Sequence, residues 1–419
     1  MPTLSLPALP ALASRRACLR AALGAVLVPS PLYAWSAAAR PCPEAWPLWS
    51  TFVQYFIQPD GRVLDASTPQ KHTSSEGQSY GMFFALVAND AARFGQLWRW
   101  TVDNLLGGHV EGRLPAWFWG QAPDGSWRVL DDNSASDADL WIVYSLLEAA
   151  RLWQRPDYER DARLLLAEVE RREVAEVPGL GTMLLPGERG FVHDEGKNEN
   201  RRLSWHFNPS YQPLPVLRRL AAAAPAGPWG RIADNTLTLL QQSTPPGGFA
   251  PDWVAYTIDA SGQGRFGPHP TKTDLGSYDA IRTYMWAGMV PRSDPLAQAL
   301  LPPLRGMAAA TAATGVPPES VHVATGQASG TGPFGFSAAL LPYLKATGNS
   351  AALARQQQRV AEGLQQVLAP QNTQGKQPPY YDLVLSLFGQ GWLEGRYRFG
   401  RRGALEPVWK TPCRAPSTR

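Results

Sequence analysis

Cysteine is nearly absent from this sequence, three in 419 residues, and no two fall at the short spacings of a zinc site. That excludes a disulfide-framed fold. The six histidines, His72, His109, His193, His206, His269 and His322, form no zinc-type pair, and a Walker-type phosphate loop is missing. Neither a metal nor another cofactor is therefore implied. Charged residues are also few, 18% against 44% hydrophobic, which excludes general disorder and leaves ample material for a core. Beyond residue 39 no apolar run approaches membrane length, so the mature chain is not expected to be membrane-embedded.

The first 39 residues read as a leader. Arg15, Arg16 and Arg20 precede the apolar run 21–28, and small residues follow in "PLYAWSAAAR". This is the pattern of a signal peptide, with cleavage expected after Ala34 or Ala39. The pair in "SRRACL" resembles a twin-arginine export signal. An exported protein, periplasmic or secreted, is the expectation. The leader holds three arginines and no acid, so the formal charge drops from +4 to +1 without it. A near-neutral protein with no basic run is a poor partner for nucleic acid. Cys18 leaves with the leader. Cys42 and Cys413 then stand at opposite ends of the mature chain, where an oxidising compartment favours one disulfide over two free thiols. Residues 414–419 are expected to be a flexible tail.

What the chain has in quantity is helical periodicity and tryptophan. Twelve helices are expected, over 43–57, 75–89, 91–105, 136–154, 157–174, 210–223, 228–243, 278–289, 293–311, 334–347, 349–366 and 380–394. In 136–154, Leu140, Val143, Leu147 and Ala150 form one apolar stripe, and Ile142, Leu146, Ala149 and Trp153 the next. A helix apolar over so wide an arc lies buried between neighbours. Twelve helices in pairs suggest an all-α fold of six helical hairpins closing a ring. Short strands interrupt it at 61–67, 126–132, 191–207 and 254–266, the last two as hairpins with polar tips at 197–200 and 261–263. Sixteen tryptophans, many in polar glycine-rich stretches, suit flat binding surfaces as well as packing.

Acidic residues gather at three expected helix starts. In "SSEGQSYGM", Ser75 and Gln78 read as a capping box around Glu76. Gly77 and Gly81 are left over, on one helix face at about 1 kcal/mol each relative to alanine. In "NSASDADLW", Asp137 and Asp139 share a first turn where one cap would suffice. In "LGSYDAIRTYMW", Asp279 and Arg282 stand three apart, the spacing of an intrahelical ion pair. Two carboxylates facing each other across a sugar-binding cleft would account for the set.

At this point four ordered motifs, "SEGQSYGM", "SASDADLW", "FNPSY" at 207–211 and "SYDAIR" at 277–282, resemble glycoside hydrolase family 8. Further segments, "RLPAWFWG", "VPGLGTMLLPG", "PDWVAY", "GFSAALLPYL" and "LFGQGW", resemble the subgroup of secreted endoglucanases encoded with bacterial cellulose synthase. The resemblance spans about Cys42 to Cys413, giving a catalytic domain over 40–413. It implies an (α/α)6 barrel with short β-hairpin insertions and a β-1,4-glucan, cellulose, as substrate. It also implies a functional association with the synthase complex.

Matched motif by motif, the resemblance makes Glu76 the general acid and Asp279 the base that activates water. Asp137 becomes the residue that positions and distorts the sugar at the cleavage point. Gln78, Tyr80, Asp139, Tyr211 and Arg282 become cleft neighbours. Trp117, Trp119, Trp141, Trp205 and Trp253 are candidates for stacking on glucose faces, and the glycines would clear room for a strand beside Glu76. Chitosan and xylan remain alternative substrates. A polysaccharide lyase and a non-catalytic binding protein are the alternatives in kind.

Overall fold

The computed structural model describes residues 45–195, 202–259 and 261–410. The leader, Cys42, Cys413, the hairpin tip at 197–200 and the tail from 414 lie outside the described residues. The helices are α1 (Pro47–Phe56), α2 (Ser75–Val87), α3 (Ala91–Asn104), α4 (Ser136–Trp153), α5 (Pro156–Arg172), α6 (Leu214–Ala223) and α7 (Trp229–Ser243). They continue as α8 (Ala280–Met289), α9 (Arg305–Thr314), α10 (Phe334–Ala346), α11 (Ser350–Val367), the single turn α12 (Pro370–Thr373) and α13 (Tyr380–Leu393).

Two kinds of helix alternate. Helices α2, α4, α8, α10 and α13 are buried nearly all round. Helices α3, α5, α7 and α11 bury only a stripe and turn polar faces outward. With the partly buried α6 as a link, α2 packs on α4, α4 on α6, α6 on α8, α8 on α10 and α10 on α13. From α13, Phe388 reaches back to α2, stacked on Phe83 at 5.4 Å and edge-on to Phe84 at 4.6 Å. Trp141 of α4 and Trp286 of α8 meet the same ring at 5.4 and 5.1 Å. Emptying such a position typically costs about 3–5 kcal/mol.

Helix starts differ in detail from the sequence expectation. Ser74, not Ser75, caps α2 by accepting from the Gly77 N–H at 3.0 Å. Gln78 is therefore free for other work. The expected helix 293–311 begins only at Arg305, because Pro291, Pro295, Pro302 and Pro303 hold the preceding segment in turns. Residues 61–67 form no strand, only an Ile57–Val63 bridge.

The two expected hairpins are halves of one antiparallel sheet. Val192–Glu195, Arg202–Phe207, Val254–Ile258 and Gly264–Pro268 pair in that order. Alternation along the second strand sends Trp205 and Phe207 into a satellite core with Met183, Leu239 and Tyr256. Ser204 and His206 face the opposite way. No helix among the described residues is long and apolar enough to cross a membrane.

Candidate active site

Three helix starts converge on one arginine. Arg282, in the first turn of α8, is only 5% exposed. Its Nη1 lies 3.1 Å from Glu76 Oε2, and its Nη2 lies 3.1 Å from Asp279 Oδ1 and 3.7 Å from Asp137 Oδ2. Nη2 also donates to Ser210 Oγ at 3.2 Å. Each helix presents unpaired N–H groups and a partial positive charge at its start, so three carboxylates can gather here with one guanidinium between them. Glu76 and Asp279 take different nitrogens of the fork, which places the guanidinium between them.

Asp137 is buried beside this pair. Burial first, then the charge of Glu76, push its carboxyl well above the usual range, against the pull of Arg282. A hydrogen bond shared with Glu76 favours its protonated form further, against the N–H of Ala138, which donates to Oδ1 at 2.8 Å.

Asp279 occupies the cap position of α8, yet its carboxylate makes no cap bond to that helix. The indole N–H of Trp253 takes Oδ2 at 2.9 Å instead. Trp253 stacks nearly parallel on Phe191, 6.0 Å away, and Tyr211 meets its edge at 5.8 Å. These rings border a cleft of about 680 Å³, which Trp117, 38% exposed, lines from the segment between α3 and α4. The sheet supplies His193 and His206, and His269 just beyond its last strand completes a wall, with ring centres 4.4 Å apart for the first pair and 4.2 Å for the second. Burial, then the neighbouring His269 and His193, hold His206 down at about 4, so its own ring is neutral at ordinary pH.

Glu76, Asp137, Asp279, Arg282, Tyr211, Trp253 and Trp117 are thus brought together. Other expected cleft residues are not. Gln78 is buried behind α2, where its amide accepts from the Val63 N–H at 2.6 Å and donates to Gly61 O, Leu97 O and Thr101 Oγ1. Trp141 is 1% exposed within the aromatic core, and Tyr80 lies edge-on to it, forming floor rather than wall. Trp205 points into the satellite core. A register shift between Phe118 and Trp119 re-aims the latter, which stacks on Trp127 beneath the guanidinium of Arg62.

Asp139 is a second buried acid that serves elsewhere. It hydrogen-bonds Glu173, whose other oxygen accepts from Ser134 Oγ at 2.6 Å. Burial is the main cause that drives both carboxyls up, Glu173 to about 8. The pair keeps at least one proton at neutral pH.

The glycine face of α2 is also closed to substrate. A Cβ at Gly77 would stand 2.9 Å from Tyr380 Oη, and one at Gly81 would stand 3.2 Å from Val63 and 3.3 Å from Leu97. The missing side chains admit the neighbouring segments, while the carboxylate of Glu76 turns to Arg282. Gly77, Ser79 and Gly81 also have the spacing of a nucleophile elbow. Ser79 nonetheless lies fully buried inside a helix, donating to Glu76 O at 2.7 Å, and no strand–turn–helix exposes it.

Asp252, Phe191 and the histidine wall were not foreseen from sequence. Asp252 directly precedes Trp253, and the alternation of Ser204 and His206 is visible in the strand pattern.

The family model described as "Glycosyl hydrolases family 8" matches residues 22–395. An endoglucanase of Pseudomonas fluorescens is 48% identical over 399 residues, 94% of this chain and 97% of that protein. An endoglucanase of Xanthomonas axonopodis is 49% identical over 373 residues, 89% of this chain and 92% of that protein. Among solved structures, the endo-1,4-D-glucanase of Vibrio fischeri superposes with a TM-score of 0.79 at 40% identity, covering 88% of this chain and all of that one.

Proposed function

The chain belongs to glycosyl hydrolase family 8 and is a glycoside hydrolase of the endoglucanase type, and from that premise we propose that it cleaves internal β-1,4 linkages of cellulose with inversion. Glu76 is the general acid, delivering a proton to the leaving oxygen. Asp279 is the base, taking a proton from the water that attacks the opposite face of the ring. Asp137 holds the distorted sugar between them.

One observation carries the reading: Arg282 gathers all three carboxylates while keeping Glu76 and Asp279 on separate nitrogens. Retaining pairs stand about 5–5.5 Å apart, inverting pairs roughly 6.5–9.5 Å, with water between. An interposed guanidinium supports the wider arrangement. Trp117, Tyr211 and Trp253 offer aromatic surface to the flat faces of glucose on one side of the carboxylates.

The succession of buried helices, with Phe388 of α13 against Phe83 of α2, supports an (α/α)6 barrel around this site. Export to the periplasm or beyond, and action on cellulose as it is made, extend the proposal. They rest on the leader pattern and on the subgroup resemblance. A hydrolysis panel on carboxymethylcellulose, xylan, chitosan and lichenan tests the substrate. Carboxymethylcellulose should be cut fastest, and preference for xylan or chitosan would overturn the assignment.

A further inference from the structure

Asp279 directly precedes α8 with its own backbone already helical, φ −78° and ψ −49°, and an acid at a helix start can accept from the free N–H groups of the first turn. Its carboxylate does not do so. The cap comes from another part of the chain. Oδ1 of Asp252 accepts from the Ser277 N–H at 2.8 Å and from the Ala280 N–H at 2.7 Å, one on each side of Tyr278 and Asp279. The Asp252 N–H in turn donates to Leu275 O at 2.7 Å, and the Ala250 N–H donates to Tyr284 Oη at 2.8 Å. Gly276 permits this close approach, since a Cβ there would stand 2.2 Å from Ala250 O.

We propose that Asp252 is a positioning residue for the hydrolytic reaction, capping α8 in trans so that the carboxylate of Asp279 is free to face the cleft. Its neighbour Trp253 completes the arrangement by fixing Oδ2 of Asp279. Consecutive residues of one turn thus hold the base from two directions, Asp252 through the backbone and Trp253 through the side chain. The charged and titratable groups facing Asp252 are Asp279, Arg282 and Tyr284, all of α8 or its start. Burial, then the charge of Asp279, raise Asp252 to about 6. The clamp therefore changes charge between neutral and mildly acidic pH, and its protonated form is the weaker acceptor.

The inference rests on the reading of Asp279 as base. Asp252→Ala should lower kcat about 10–100-fold, the scale expected when a reacting group is displaced by around 1 Å, with cello-oligosaccharide binding retained. Asp252→Asn keeps one acceptor oxygen and cannot titrate. It should melt close to the parent, lose less activity, and move the acidic limb of kcat/KM to lower pH, which a purely structural role would not do. Parental kcat in Asp252→Ala, or an unmoved acidic limb in Asp252→Asn, would overturn the proposal. Asp279→Asn separates the two failures. If that variant keeps turnover, the base was wrongly chosen; if it is inactive while Asp252→Ala is not, only the positioning role falls.

Discussion

The indole N–H of Trp253 donates to Oδ2 of Asp279 over 2.9 Å, the one neutral donor among the described residues on a carboxylate whose other oxygen faces Arg282. A hydrogen bond to a charged group is worth about 1.5–3 kcal/mol. Trp253→Phe keeps an aromatic face in the cleft and removes only this bond. We expect kcat to fall about 10–100-fold with substrate affinity largely kept, since each 1.36 kcal/mol on the barrier is tenfold in rate. Steady-state kinetics on a soluble cello-oligosaccharide would show it. A variant altered in KM alone would reduce Trp253 to a stacking surface.

Glu76→Gln removes the transferable proton and preserves shape. Loss of at least ~100-fold in kcat is expected, the lower range for general acid catalysis, with cello-oligosaccharide binding intact by calorimetry. Near-normal turnover would remove Glu76 from its proposed role.

The pattern of these residues shows what a sequence can and cannot disclose. The gathering of Glu76, Asp137 and Asp279 was legible because acidic residues at helix starts carry local signatures. The helices themselves were legible because α2 and α4 are apolar all round. That same breadth argued against Trp141 as a platform, since a helix buried on every face leaves its tryptophan in the core. Which face of α2 looks at the cleft is set by Val63, Leu97 and Tyr380, residues distant in sequence, so Gln78 and the glycines were assigned to the wrong side. Trp117 and Trp119 look equivalent in sequence until a register shift separates them. Asp252 acts through backbone N–H groups 25 and 28 positions away, and no local pattern announces a cap supplied in trans.

The buried pair Asp139 and Glu173 predicts how stability depends on pH. Burial lifts Glu173 from an ordinary value near 4.5 to about 8. The folded protein therefore holds more protons than the unfolded chain between those values, so stability is full below the lower one and falls as pH rises through the upper one. Melting temperature should decline from about pH 5 to about pH 8 and level off above it. Glu173→Gln, which can accept from Ser134 Oγ and donate to Asp139, should flatten that decline. An equally steep curve in the variant would assign the alkaline loss to other groups.

The proposed Cys42–Cys413 bridge has its flanks close together. Arg396 Nη1 donates to Ala45 O at 3.2 Å, and the Val408 N–H donates to Arg396 O at 2.8 Å, so the two ends of the described chain meet on one residue. A loop of this length allows roughly 5–6 kcal/mol by the chain-entropy relation, as an upper bound. Reduction should lower the melting temperature while activity at room temperature persists. Two thiols titrating in the native exported protein would rule the bridge out.

The stereochemistry of the product tests geometry and roles together. If water is activated by Asp279 on the face opposite Glu76, one displacement occurs, and cleavage of a β-linkage first yields the α-anomer. A double displacement would need the second carboxylate close enough to bond the sugar, about 5–5.5 Å from the acid, and would return the β-anomer. Proton NMR of freshly cleaved cellopentaose, recorded before mutarotation, distinguishes the two. Asp279→Asn should abolish the α-product, because an amide cannot accept the proton of water, and added azide should partly restore turnover by attacking unaided. An initial β-anomer would show that Arg282 separates the two carboxylates for another reason than to admit water, even with cellulose as the substrate.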